Sequence, residues 1–248
     1  WRQMCDELPR SLDSLAQDKA IKKDIIEDVQ NFLSKDKLGI AYWRGYLYFG
    51  EPGTGKTSCC KAVATHFGLL MYVINLPAVD DYGLQELFRT LPAYPARSMV
   101  ILEDIDAAGI ERRDHTANEE DDGSQKGITL TTVLATLDGI GSHASHILIV
   151  TTNAKAKLDA ALTRPGRIDR QFEFGNPDPA TIAAYFSFFF DKCTSKNSSD
   201  MTLDQLAVEF SGAVSYLALS PAKLQEYFMR CKDPAIAIKN VATLAYTV

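Results

Sequence analysis

The stretch "GYLYFGEPGTGKTS", residues 45–58, constrains the fold more tightly than any other part of the chain. An apolar run of strand length leads into a glycine-punctuated loop, and a helical pattern follows. Gly50, Gly53 and Gly55 let the main chain turn so that successive N–H groups face inward as an anion nest. The helix after the loop adds the positive end of its dipole. The nine residues Gly50, Glu51, Pro52, Gly53, Thr54, Gly55, Lys56, Thr57 and Ser58 read GxxxxGK[ST] plus one. At that spacing Lys56 can reach outer phosphates, and the Thr57 hydroxyl is a hard oxygen of the kind Mg²⁺ prefers. Glu51 is unexpected, because an acid beside a phosphate nest costs Coulomb energy; its side chain is expected to point to solvent.

Around this loop, apolar runs alternate with helical patterns over the first two thirds of the chain. Residues 45–50, 69–76, 98–104 and 146–153 read as strands, and "RQFEFGN" as a fifth. They are β-branched or aromatic, and apolar on both faces as parallel strands between helix layers must be. Helical patterns fall at 57–67, 81–90, 128–137 and 157–163. The fold class is therefore α/β: a parallel sheet of the P-loop NTPase type with helices on both faces. After "GNPDP" strand signals stop, and residues 180–192, 202–210, 220–231 and 234–245 read as helices, with Ser220 as N-cap and Pro221 at the first helical position. The expected division is a nucleotide-binding α/β domain over 1–177 and a small all-α lid over 178–248. Residues 111–127, "ERRDHTANEEDDGSQKG", are polar and glycine-punctuated and read as a mobile insertion in the first domain.

Composition removes other classes. A net charge of −6 over 248 residues leaves no basic footprint for nucleic acid. No apolar run approaches the roughly 20 residues of a membrane span. The five cysteines show no CxxC spacing, which argues for reduced thiols rather than a disulfide framework or zinc site. His143 and His146 lie without nearby cysteine and read as exposed loop histidines.

Downstream, "VILEDID" (100–106) is an apolar strand ending in three carboxylates. A strand in this position should supply one oxygen that holds Mg²⁺ through water and another that polarises the attacking water. Adjacent side chains on a strand point to opposite faces, so Glu103 and Asp104 cannot simply trade roles. By position Glu103 would serve Mg²⁺ and Asp104 would be left to polarise the water, the reverse assignment remaining the alternative. "TTN" ends the next strand with Asn153. In "LDAALTRPGRIDR", Pro165 disfavours helix at Arg164 and Gly166 permits a reversal, so Arg164 and Arg167 are both expected to project outward.

In this order, the phosphate loop, the two-carboxylate strand, "TTN" and "LxRPGRxD" resemble the AAA family of ring ATPases, over essentially the whole chain. The resemblance implies ATP and Mg²⁺ as cofactors, with Asn153 as sensor of the γ-phosphate. Arg164 and Arg167 would then be arginine fingers reaching a neighbouring subunit's nucleotide in a ring of six or seven copies. Asp13, Ser14 and Leu15 match the position where such proteins hold adenine with backbone groups. "SPA" at Ser220–Ala222 matches the lid contact to nucleotide.

A narrower likeness runs through "LDSLAQDKAIKKDIIEDVQNFL", "ILEDIDAA", "ITLTTVLATLDGI" and "SPAKLQEYFM". These look like the Bcs-type mitochondrial AAA chaperones, in which the Glu-Asp order of residues 103–104 is usual. That family sits in the mitochondrial inner membrane by an N-terminal anchor, with the ATPase domain facing the matrix. It translocates the folded Rieske iron–sulfur protein during assembly of respiratory complex III. The chain starts at Trp1, so the anchor would lie before it. "NLPAVDDYG" (75–83) lacks the aromatic–hydrophobic–Gly triplet of AAA machines that thread unfolded chains, which fits a folded or bulky client. Two alternatives stand beside this reading: a Bcs-like paralogue with another client, and an ATP-binding scaffold with little turnover.

Overall fold

The protein is described here by a computed structural model covering residues 2–3, 9–35, 43–91, 98–108, 110, 127–140, 146–191, 201–214, 216–231 and 233–246. Helices are α1 (Lys19–Lys35), α2 (Lys56–Phe67), α3 (Asp81–Arg89), α4 (Leu130–Ile140), α5 (Pro179–Asp191), α6 (Leu203–Val214), α7 (Pro221–Arg230) and α8 (Pro234–Lys239). Strands are β1 (Arg2–Gln3), β2 (Arg44–Phe49), β3 (Leu70–Asn75), β4 (Ser98–Glu103), β5 (His146–Thr152) and β6 (Arg170–Glu173). The chain divides into two compact units: Trp1–Leu8, Asp28–Gly50 and Phe67–Glu173 form one, and Pro9–Glu27, Glu51–His66 and Phe174–Val248 the other.

The first unit carries the sheet. Among the described residues its order is β1-β3-β4-β5-β2-β6, with β2 to β6 parallel and β1 antiparallel on the edge beside β3. The five parallel strands are those expected from the apolar runs. β1 has no apolar signal and was not expected. Leu47 pairs with Val150, Val150 with Leu102, and Leu102 with Ile74, so one row of side chains crosses four strands. That row is buried in one cluster with Leu84 and Phe88 of α3 and Val133 and Leu137 of α4. The neighbouring row, Tyr46, Ile149 and Ile101, points to the opposite face and is equally buried. Burial on both faces is why these strands read as unbroken apolar runs instead of alternating ones.

Polar residues interrupt that pattern where they are anchored. Asp28 on α1 accepts from Arg44 Nε and Nη2, each at 2.9 Å, and from the Tyr46 hydroxyl at 2.6 Å. His146 is buried at the start of β5, with its Nδ1 2.6 Å from Ser98 Oγ. It is not the exposed loop histidine expected: the strand read over 146–153 includes it as first residue, and pairing of β5 with β4 at Ser98 buries it. His143 lies outside the described residues.

The second unit is helical. Phe186, Phe190, Phe210 and Phe228 pack with ring centroids between 4.7 and 5.5 Å apart, so the aromatic run in α5 is a core face. Ser220 caps α7, accepting from the Lys223 N–H at 3.4 Å, with Pro221 inside the first turn as expected. Two helix expectations are corrected. Residues 157–163 form turns after a 3-10 segment, Lys155–Lys157, because Asp159 bonds the Ala161 N–H and closes a local turn instead of starting a helix. Residues 234–245 divide into α8 and a 3-10 segment, Val241–Tyr246. The insertion expected at 111–127 falls, except for Gly127, outside the described residues. Among the described residues no helix is long and apolar enough to cross a membrane.

Candidate nucleotide site

The phosphate loop has the backbone its glycines imply. Gly50, Gly53 and Gly55 hold φ of 141°, 79° and 98°, values L side chains rarely adopt. Thr54 Oγ1 and Lys56 Nζ both donate to the Glu51 carbonyl, at 2.7 and 2.9 Å, so the loop is braced across its own width. The Glu51 residue is exposed, as expected for an acid beside an anion nest, and Pro52 is exposed too. Thr57 and Ser58 are half-buried in the first turn of α2. In the same unit, the Ala222 N–H donates to the Gly53 carbonyl at 3.1 Å. A Cβ on Gly53 would stand 3.2 Å from Ala222 Cβ and 3.3 Å from Ser220 Oγ. The lid residues Ser220 and Ala222 therefore rest against the glycine loop.

Asp13 and Ser14 lie in a 3-10 turn, Leu12–Ser14, that Leu15 closes. The Asp13 N–H donates to Ser11 Oγ, the Ser14 N–H to the Ser11 carbonyl, and the Leu15 N–H to the Leu12 carbonyl. Lys22 Nζ donates to the Leu15 carbonyl at 3.2 Å. The amides of this segment are thus used by the turn itself.

In the first unit, Glu103 closes β4 and pairs in register with Asn75. Asp104 has left the strand with φ of 50°, the one positive value among described non-glycine residues. The expectation that Glu103 and Asp104 face opposite ways by strand alternation is therefore corrected: the backbone turns between them. Aspartate tolerates this region better than most residues, at a cost of about 1–2 kcal/mol. The turn is held by the Asp104 N–H donating to Thr151 Oγ1 at 3.2 Å and the Ala107 N–H donating to the Asp104 carbonyl at 2.8 Å. It places the Asp104 carboxylate beside Asn153, whose Nδ2 donates to Asp104 Oδ1 at 3.2 Å. Sequence spacing did not reveal this pairing.

The two arginines differ. Arg164 is exposed. Arg167 is folded back, with Nε and Nη2 donating to the two oxygens of Asp138 on α4 at 2.7 and 2.6 Å, and Nη1 to the Ala161 carbonyl at 2.7 Å. The expectation that both project outward is corrected for Arg167, whose planar fork matches a carboxylate. The Arg167 hydrogen bond holds the Asp138 carboxyl below the usual range, and Asp138 raises Arg167 in return. Asp138 was missed from the sequence, where an acid near a helix end gives no signal of its partner. Gly45 positions the segment that follows: a Cβ there would lie 1.8 Å from the Arg167 carbonyl, so only glycine lets it cross β2.

These residues fit a nucleoside triphosphate with Mg²⁺. In its own unit the loop offers amides and an ammonium suited to phosphate, with the Thr57 hydroxyl as a hard oxygen; in the other unit Glu103 and Asp104 are carboxylates of the kind a hard cation takes. Among the described residues there is no cluster of three or more His, Cys, Asp or Glu that would favour another metal.

Comparison with known proteins agrees. Residues 46–176 match the model of the ATPase family associated with various cellular activities (AAA). Residues 179–243 match that of the mitochondrial chaperone BCS1-like ATPase lid domain. The chain is 34% identical over 245 residues to the cattle (Bos taurus) protein named mitochondrial chaperone BCS1, covering 95% of this chain and 55% of that protein. The zebrafish (Danio rerio) protein of the same name is 33% identical over 245 residues, 95% of this chain and 56% of that protein. Arabidopsis thaliana protein HYPER-SENSITIVITY-RELATED 4 is 33% identical over 243 residues, 93% of this chain and 40% of that protein. The chain thus spans about half the length of these relatives. It belongs to the AAA family of ATPases and carries a BCS1-like lid.

Proposed function

We propose that this chain is the ATP-hydrolysing domain of a ring-forming chaperone that remodels or translocates a protein client. The observation that supports the reading is the Asn153–Asp104 hydrogen bond at 3.2 Å, which joins a carboxylate and an amide at the carboxyl ends of two neighbouring parallel strands, where an attacking water would be met. When bound, Mg²⁺ would neutralise charge on the outer phosphates. Lys56 holds those phosphates, Thr57 and Glu103 are the oxygen donors toward the cation, and Asp104 takes the proton side of the water. Asn153 orients that water and senses the γ-phosphate. Arg164, exposed, is the better placed of the two arginines to act in a neighbouring subunit; Arg167 does so only after leaving Asp138.

The relatives named mitochondrial chaperone BCS1 support a mitochondrial chaperone. A place at the inner membrane with this domain facing the matrix, and the folded Rieske iron–sulfur protein as client, are the finer proposal that the resemblance to the Bcs-type family carries. A second reading is favoured by the comparable likeness to the Arabidopsis protein named for hypersensitivity: a BCS1-like paralogue acting on another client. The test is ATP turnover by the full-length assembly. Lys56→Ala should abolish nucleotide binding, and Asp104→Asn should bind ATP and retain it. A wild-type assembly that binds ATP but shows no turnover above Asp104→Asn would overturn hydrolysis in favour of a nucleotide-binding scaffold.

A further inference from the structure

The third acid of "VILEDID" has no part in the roles above. Asp106 Oδ1 accepts from the Thr152 hydroxyl at 2.7 Å and from the Asn153 N–H at 3.0 Å. Those donors are 46 and 47 residues away in sequence. Elsewhere, Asp159 and Asp233 bond the N–H two residues on, which shapes only their own turns. Asp106 instead ties the turn after β4 to the end of β5. Thr152 is completely buried, and its Oγ1 also accepts from the Ala154 N–H at 3.0 Å, so the next peptide is held as well. Burial opposes ionisation of Asp106, yet the Thr152 and Asn153 hydrogen bonds hold its carboxyl below the usual range. It is therefore charged and a strong acceptor at neutral pH.

We propose that Asp106 is a positioning residue for hydrolysis, fixing the Asn153 backbone so that the Asn153 side chain meets Asp104. The Asp104 carboxylate, carried on a left-handed backbone, is met by the Asn153 side chain, so its aim depends on where Asn153 stands. Asn153 in turn is set by the amide that Asp106 accepts. The end of β5 does meet the loop, where the Gly50 N–H donates to the Thr152 carbonyl at 3.3 Å. Asp106, however, holds the Thr152 side chain, and the loop's bracing is on the Glu51 carbonyl, so binding and turnover should separate. The inference rests on the hydrolytic reading above.

The test compares Asp106→Ala and Asp106→Asn in the full-length assembly. Alanine removes the acceptor, and a displacement of this order should lower kcat about 10- to 100-fold with KM for ATP changed less than about twofold. Asparagine keeps a carbonyl oxygen in place and should retain kcat within about threefold of wild type. Equal losses in the two variants, or a loss confined to KM, would overturn the proposal. If Asp106→Ala does not fold, Thr152→Val removes one donor at nearly constant shape and should lower kcat several-fold; unchanged kcat there also overturns it. Hydrogen exchange at the Asn153 amide gives a readout without turnover. Faster exchange in Asp106→Ala than in Asp106→Asn, in an assembly that proves inactive, would keep the positioning role while the hydrolytic reading falls. Equal exchange in both would sink the positioning role itself.

Discussion

Arg167 is clamped to Asp138 by two hydrogen bonds of 2.7 and 2.6 Å, whereas Arg164, three residues before it, is exposed. The sequence presents the two arginines as equivalents flanking a Pro-Gly turn. The structure makes one of them part of the scaffold.

The first prediction separates them. Arg164→Ala should lower ATP turnover by about 10³-fold or more while leaving ATP affinity within about twofold, as expected for a cation acting on transition-state charge. Mixed with wild type, it should depress activity beyond simple dilution. Asp138→Asn, which loosens Arg167, should cost under about 1 kcal/mol of stability, because the Asp138 side chain is 56% exposed. Steady-state turnover, nucleotide titration and urea denaturation read the three quantities.

The Asp104 backbone gives a second. Asn tolerates the left-handed region about as well as Asp, so Asp104→Asn should leave stability within about 0.5 kcal/mol and still block turnover. Asp104→Val should lose about 1–2 kcal/mol more in urea denaturation, since a β-branched residue resists that backbone. Glu103→Gln, on the strand proper, should instead raise the Mg²⁺ concentration needed for half-maximal turnover. A reversed pattern would show that role follows residue type and not position.

Gly53→Ala tests the lid contact. The substitution meets both a φ of 79° and atoms 3.2–3.3 Å away on Ala222 and Ser220. It should destabilise by about 1–3 kcal/mol in denaturant unfolding and weaken ATP binding at least tenfold. Gly55→Ala meets no neighbour within 4 Å and should show only the conformational part of that loss.

A pH prediction rests on Asp28. Burial would raise its carboxyl, but hydrogen bonds from Arg44 and Tyr46 outweigh that and lower it. A lowered folded-state pKa contributes stability that is fully present above the unfolded value, about 3.9, and is lost as pH falls through the folded value. Asp28→Asn should therefore be destabilised by about 1–3 kcal/mol at pH 7, with the gap to wild type closing below about pH 4. Melting curves from pH 7 to pH 3 measure it; a gap independent of pH would exclude the charged pair as its cause.

The sequence by itself determined the parallel strands, the phosphate loop and the cap of α7. Each follows from local chemistry: apolar runs buried on both faces, glycines where φ must be positive, and a serine before a proline at a helix start. The order of Glu103, Asp104, Asn153, Arg164 and Arg167 along the chain, read through the resemblance to the AAA family, offered them as one constellation. Only the tertiary structure decided how those groups are aimed. The turn at Asp104 depends on Thr151 from another strand, and the anchoring of Arg167 on Asp138 from a distant helix. The setting of Asn153 depends on an aspartate 47 residues earlier. Such hydrogen bonds join residues far apart in sequence, and a carboxylate carries no mark of the partner it will meet until the chain brings the two within about 3 Å.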